Sequence, residues 1–121
     1  MSDQPALESY ARLREKILAF RDERDWKQFH DPKNLSEAIS IEAAELLELF
    51  LWKDSAESRQ IDIAKKDMAA EEAADILVFL ILLSAELGFD LLASAAQKLL
   101  KNADKYPASK ARGKSDKYTE L

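Results

Sequence analysis

Apolar residues recur at three- and four-residue spacing along most of the chain, the period of helices that turn one face to a core. Leu7, Tyr10, Leu13, Ile17 and Phe20 mark the first stripe and predict a helix over about 6–26. The stretch KQFHDPKN breaks it, with Asp31-Pro32 as a turn signal. Asn34, followed three residues later by Glu37, reads as a capping box and predicts a second helix over about 34–53. After the polar stretch DSAESRQID, a long third helix is expected over 63–87, stopped by Gly88. Asp90 can cap a fourth, which ends near Tyr106 because Pro107 cannot continue it. The expected organisation is one all-α domain over residues 1–107, four-helix-bundle-like, with a charged C-terminal tail over 108–121.

These helices are apolar over too much of their circumference for a small monomer. Residues 76–83 of the third helix present hydrophobic atoms in every direction, and a helix apolar all round is buried all round. Four short helices cannot enclose one of their own, so the second and third are expected to pack against another copy, most simply with two-fold symmetry.

Composition narrows the class. With 121 residues the chain has room for one domain, and its two Gly and three Pro are too few for the turns of a β-sandwich or barrel. No cysteine is present, which rules out disulfides and thiolate metal sites. The first residues have no apolar signal core, and the run at 76–83 falls far short of the ~20 residues that span a membrane. A cytoplasmic protein without a membrane partner is expected. The net charge of −5 disfavours nucleic acid as a partner. That charge is unevenly divided: residues 98–121 carry +4 and residues 1–97 carry −9.

Certain acids stand where apolar residues belong. On a helical wheel, Glu42 and Glu45 fall among Leu35, Ala38, Leu46, Leu49 and Trp52 of the second helix. Glu72 and Asp75 fall among Met68, Phe79, Leu82 and Leu83 of the third. Residues three apart point the same way, so each helix offers a pair of carboxylates to its core face. No Lys or Arg lies between Lys33 and Lys53 to neutralise them. Ionised carboxylates cannot be buried together unpaired, and an all-oxygen set suits Mg²⁺, with Mn²⁺ as the alternative. The competing account places these acids at the rim of a bundle, where acids near helix starts favour the dipole. A di-iron carboxylate bundle would need Glu-x-x-His on two helices, and the single histidine, His30, lies in a loop. Glu86 projects onto the same stripe of the third helix and is expected to be exposed at its end.

The two acid pairs, with 26 residues between them, resemble the E-x-x-E…E-x-x-D signature of the MazG-type all-α nucleotide pyrophosphohydrolases. The blocks RDWKQFHDPKN, EAAELLELFLWK, EEAADILVFL, KNADKYP and KYTEL are similar to the dCTP pyrophosphatase branch of that superfamily. The resemblance implies Mg²⁺-dependent hydrolysis of a nucleoside triphosphate to the monophosphate and pyrophosphate, with dCTP or a modified dCTP as substrate and nucleotide-pool housekeeping as purpose. It makes Glu42, Glu45, Glu72 and Asp75 the metal ligands and catalytic acids. It implies a homotetramer built as a dimer of dimers, a homodimer being the simpler way to cover the same apolar faces.

Substrate contacts follow from chemistry as well as resemblance. Lys98, Asn102 and Lys105 share a face of the fourth helix and offer donors to phosphate oxygens, as does Lys53; the plain alternative is a solvated lysine face. Trp26, Trp52 and Phe79 are candidate walls of a base pocket, and each could equally be core. His30 is either a loop hydrogen-bonder or a substrate contact. The chain departs from its look-alikes at Phe79 and Ile17, where they carry tyrosine and histidine, which leaves the preferred base open. A different class of reading, a non-catalytic helical oligomerisation or nucleotide-sensing module, shares the fold but needs no inward acids.

Overall fold

In a computed structural model, which describes residues 9–121, every regular element among the described residues is helical. Helix α1 spans Tyr10–Glu23, α2 Pro32–Glu48, α3 Ser55–Ser58, α4 Ile63–Leu87, α5 Leu91–Lys105 and α6 Ala108–Ala111, with 3-10 turns at Lys27–Phe29 and Tyr118–Glu120. The predicted start of the first helix, with Leu7, lies outside the described residues. The helices form two compact units, the first ending at Gly88 and the second covering Phe89–Leu121.

Carboxylate caps set most of the helix starts. Asp31, Asp54, Asp62 and Asp90 each accept a hydrogen bond from the backbone N–H three residues on, at 2.8–2.9 Å. Each bond satisfies a donor left without an intrahelical partner, and the negative charge suits the helix dipole. Ser9 does the same for α1 through the Arg12 N–H. At α4 the C-terminal stop is Gly88, whose φ of 75° no β-carbon-bearing residue adopts as easily.

Three boundaries differ from the sequence expectation. The second helix begins at Pro32 with Asp31 as its cap, not at Asn34: proline is preorganised for the first helical turn, where its missing N–H costs nothing. Asn34 instead donates its side-chain amide to the Phe29 carbonyl and to Asp31, tying the preceding turn to the helix. The same helix ends at Glu48 rather than near Lys53, because Leu49, Phe50 and Leu51 donate three residues back, to Leu46, Leu47 and Glu48, and tighten the winding. Trp52 then takes a left-handed φ of 63°. Finally, the polar connection contains α3, closed by a reciprocal capping box between Asp54 and Glu57.

In the first unit α2 and α4 are the principal helix pair, with α1 against α4. Ile17, Leu35, Ile81 and Leu82, one or two from each of these helices, are the buried hydrophobic residues. Ser84 is buried beside them and spends its hydroxyl on the Ile81 carbonyl. Large apolar residues elsewhere in the unit are exposed: Ile41 and Leu47 on α2, Leu51 and Trp52 after it, Ile63 and Met68 on α4.

In the second unit, α5 is strongly amphipathic and leaves Leu92, Leu99 and Leu100 exposed. Its C-terminal stretch is organised by Tyr118, whose ring meets Tyr106 edge-on at 6.0 Å and lies under the Lys105 ammonium at 4.9 Å. Residues 108–121 therefore include a helical turn, a 3-10 turn and a cation–π contact.

Candidate functional site

The α2–α4 pairing brings three of the four singled-out acids together. Glu42 and Glu45, one turn apart on α2, meet Glu72 of α4, and ligating oxygens of all three lie within 4.8 Å of one another. Glu42 and Glu72 are half-buried and Glu45 is exposed, so the cluster opens on one side. Glu42 Oε2 and Glu72 Oε2 are buried without a hydrogen-bond partner among the described residues. The Glu42 carboxyl is pushed up to about 7, first because its protonated form can share that proton with Glu72, then by burial and by Glu45. Three carboxyls at this separation cannot all ionise without a cation, and two orphaned oxygens are the lone pairs such a cation would take.

Asp75 stands apart from that close set. One turn along α4 from Glu72, it is exposed and lines a neighbouring cavity of about 480 Å³. The cavity wall is otherwise mostly apolar: Ile17 and Phe20 from α1, Trp26 after it, and Val78, Phe79 and Leu82 from α4. Four rings follow one another round it, with centroids 5.8 Å apart from Phe20 to Trp26, 6.1 Å from Trp26 to His30 and 6.4 Å from His30 to Phe79. The Arg24 guanidinium covers the outer face of Phe20 at 3.6 Å. His30 is placed here by the 3-10 turn at Lys27–Phe29, and its Nδ1 is buried without a partner among the described residues. Burial, then the nearby Arg21 charge, lowers the His30 pKa below its ordinary value, so its neutral imidazole dominates at neutral pH. A concave, largely aromatic cavity of this size with a few polar groups is suited to a small planar ligand.

Of the predicted site residues, Glu42, Glu45 and Glu72 form the carboxylate cluster, while Trp26, His30, Phe79 and Asp75 share the cavity. Ile17 lies in the cavity wall as well. Trp52 stands outside it: beyond the end of α2 it leaves the helical stripe and is 97% exposed. Lys53 follows it, half-buried, with its N–H on the Phe50 carbonyl. Lys98, Asn102 and Lys105 belong to α5 of the second unit, where Asn102 is half-buried and the two lysines are exposed.

Two further charged residues form a pair that the sequence reading misses. Glu86 is not simply exposed at the end of α4: it is half-buried, with Oε1 3.6 Å from Nη1 of Arg21 on α1. Arg21 is itself buried, donates from Nε to Asp22 at 2.8 Å, and lines the cavity. That hydrogen bond holds the Asp22 carboxyl below the usual carboxylate range. The periodicity carries the signal. Arg21 lies four residues after Ile17, and Glu86 four after Leu82, so each is a charge on an apolar stripe like Glu42.

Comparison with known proteins adds to this geometry. Residues 38–121 match the model of the MazG-like family. The chain is 42% identical to dCTP pyrophosphatase 1 of Homo sapiens and 41% identical to that of Rattus norvegicus, each alignment covering 99% of this chain and 70% of the relative. Its fold is similar to the crystal structure of a pyrophosphatase from Archaeoglobus fulgidus, with a TM-score of 0.78 and 36% identity over 88% of this chain and 99% of that one.

Proposed function

The chain belongs to the MazG-like family, and from that premise we propose that it hydrolyses dCTP, or a dCTP modified on its base, to the monophosphate and pyrophosphate. The observation that carries this reading is the carboxylate cluster, with its two orphaned oxygens, sharing α4 with an aromatic cavity. Glu42, Glu45 and Glu72 fit a hard divalent cation, Mg²⁺ first and Mn²⁺ second, and Asp75, one turn along α4 from Glu72, is proposed as the fourth ligand. Bound there, such an ion polarises phosphoryl oxygens and lowers the pKa of a water.

The chain's own residues do the rest. Glu45, the member open to solvent, is assigned to orient the attacking water and take its proton. The water oxygen bonds to phosphorus, the α–β bridging P–O bond breaks, and pyrophosphate carries away the bonding pair. Trp26, Phe79 and His30 receive the base. Lys53, Lys98, Asn102 and Lys105 supply donors of the kind a polyphosphate requires, and Trp52 is kept as a base-pocket candidate contributed to a neighbouring copy. Exposed Ile41, Leu47, Leu51, Ile63 and Met68 support assembly with a second copy, as a homodimer or a dimer of dimers. Among the described residues no single helix is long and apolar enough to cross a membrane. A role in nucleotide-pool housekeeping assigns the enzyme to the cytoplasm.

Pyrophosphate release from dCTP in the presence of Mg²⁺ tests the proposal. It should be abolished by EDTA and restored by excess Mg²⁺. A purified protein that hydrolyses no member of a broad nucleotide panel with Mg²⁺ or Mn²⁺ would sink it.

A further inference from the structure

A buried guanidinium in a mostly apolar cavity wall needs a reason. The Arg21 side chain is only 9% exposed, set among Ile17, Phe20, Phe79 and Leu82. As a stability device it is poor, because ionic groups are costly to desolvate and apolar side chains of similar volume often serve as well or better. Its position, however, is closely controlled. Asp22 engages Nε at 2.8 Å on one edge, and Glu86, 20% exposed, stands 3.6 Å from Nη1 on the next. Nη2 has no partner among the described residues, which leaves the outer Nη1–Nη2 edge with hydrogens to donate.

The two carboxylates also decide what kind of group that edge accepts. They outnumber the guanidinium charge two to one, while Lys16 and Asp75 on the same cavity wall offset each other, so a phosphate would be repelled at close range. A neutral acceptor pair is favoured. Polarity along α4 agrees: Glu72 and Asp75 lie at its middle, Phe79 one turn on, and Glu86 in its last turn, roughly 16 Å from Asp75 at 1.5 Å per residue. A nucleotide with its phosphates at the mid-helix acids directs its base toward Arg21.

We propose that Arg21, held by Asp22 and Glu86, is a specificity-determining residue that reads the adjacent O2 and N3 acceptors of cytosine. This rests on the nucleotide reading above and assigns the chemistry of base choice within it. Thymine and uracil present N3–H at that position, a donor facing a donor. A bidentate side chain–base pair discriminates by about ten- to a hundredfold.

The test compares kcat/KM for dCTP and dTTP, and metal-free equilibrium binding of dCMP, dTMP and dGMP, in the wild type, Arg21→Met and Arg21→Lys. The binding arm separates failure of the base assignment from failure of hydrolysis. The wild type should prefer dCMP over dTMP by about tenfold or more, with dGMP, which offers an N7/O6 acceptor pair, bound less well than dCMP. Arg21→Met should bring the dCMP:dTMP ratio to within about twofold, its kinetic loss falling on KM and on dCTP more than dTTP, with Arg21→Lys intermediate. A wild-type ratio near one, failure to bind any of the three monophosphates, a preference for dGMP, or variants that keep the wild-type ratio would each overturn the assignment. Equal losses on both substrates would reveal a merely structural arginine and overturn it as well.

Discussion

The first unit places charge on apolar helix faces twice, and the two places are built differently. At the carboxylate cluster, Glu42, Glu45 and Glu72 face one another, and two of their buried oxygens have no partner among the described residues. At the cavity wall, Arg21 sits between Asp22 and Glu86, its charge matched from within the chain. The first arrangement is incomplete by itself: it raises the Glu42 pKa and is relieved only by a proton or a cation from outside. The second is complete, so its buried charge serves to hold a set of donors in place. Similar side chains on similar stripes therefore point to different chemistry, according to whether the opposite sign is supplied internally.

The largest effect should come from the cluster. Glu72→Gln is expected to lower kcat/KM by about a hundredfold or more, the scale seen when a group stabilising transition-state charge is removed. The metal-free variant should melt no lower than the wild type, because a repulsive neighbour has been neutralised. A variant as active as wild type would dissolve the contrast, since the acids would then be rim residues.

Breaking the matched pair should do the reverse. Glu86→Ala leaves Arg21 without its α4 partner and is expected to cost about 1–3 kcal/mol of stability by chemical denaturation, while metal binding persists. Loss of Mg²⁺ affinity in this variant would merge two sites that we treat as distinct.

Titration sharpens the comparison further. The folded Glu42 pKa is raised to about 7 from an ordinary 4.5, so the folded protein binds more protons than the unfolded chain between those values. In the absence of metal, this carboxyl's contribution to stability is fully present below about pH 4.5 and is lost as pH rises through about 7. A cation competes with the same proton, so apparent Mg²⁺ affinity should increase over that range and level off above it. Melting temperature against pH, with and without Mg²⁺, measures both. A metal-free protein whose stability rises through pH 7 would contradict the assignment.

The smallest effect is set by an ion pair between two exposed side chains. Lys33 and Glu37 pair at i, i+4 on the exposed face of α2, where Glu37 also raises the Lys33 pKa by hydrogen bonding. Lys33→Ala should change stability by no more than about 0.5 kcal/mol, and less at high salt.

Much of the site is legible in the order of residues alone. An acid on an apolar stripe is a local observation, and the three-residue spacing of each pair follows from helical geometry. Arg21 and Glu86 are visible by the same criterion, yet α1 and α4 are far apart in sequence and nothing local says that two stripes face each other. Trp52 shows the opposite difficulty. A wheel carried past Glu48 keeps it on the stripe of Glu42 and Glu45, whereas the tightened winding after Leu46 and a left-handed residue turn it outward.

The amino-acid sequence by itself determined the helices, most of their ends and the chemical character of each face. These depend on periodicity, on Asp side chains bonding to N–H groups three residues away, and on a glycine free to take positive φ; all act over a few residues. It also determined the family, through acid pairs and flanking blocks in register. Only the tertiary structure decided which acids converge, that Asp75 looks into the cavity and not onto the cluster, and that a buried arginine finds its counter-charge on another helix. Those outcomes depend on how α1, α2 and α4 pack, and a distance between elements is a property that no single stretch of the chain contains.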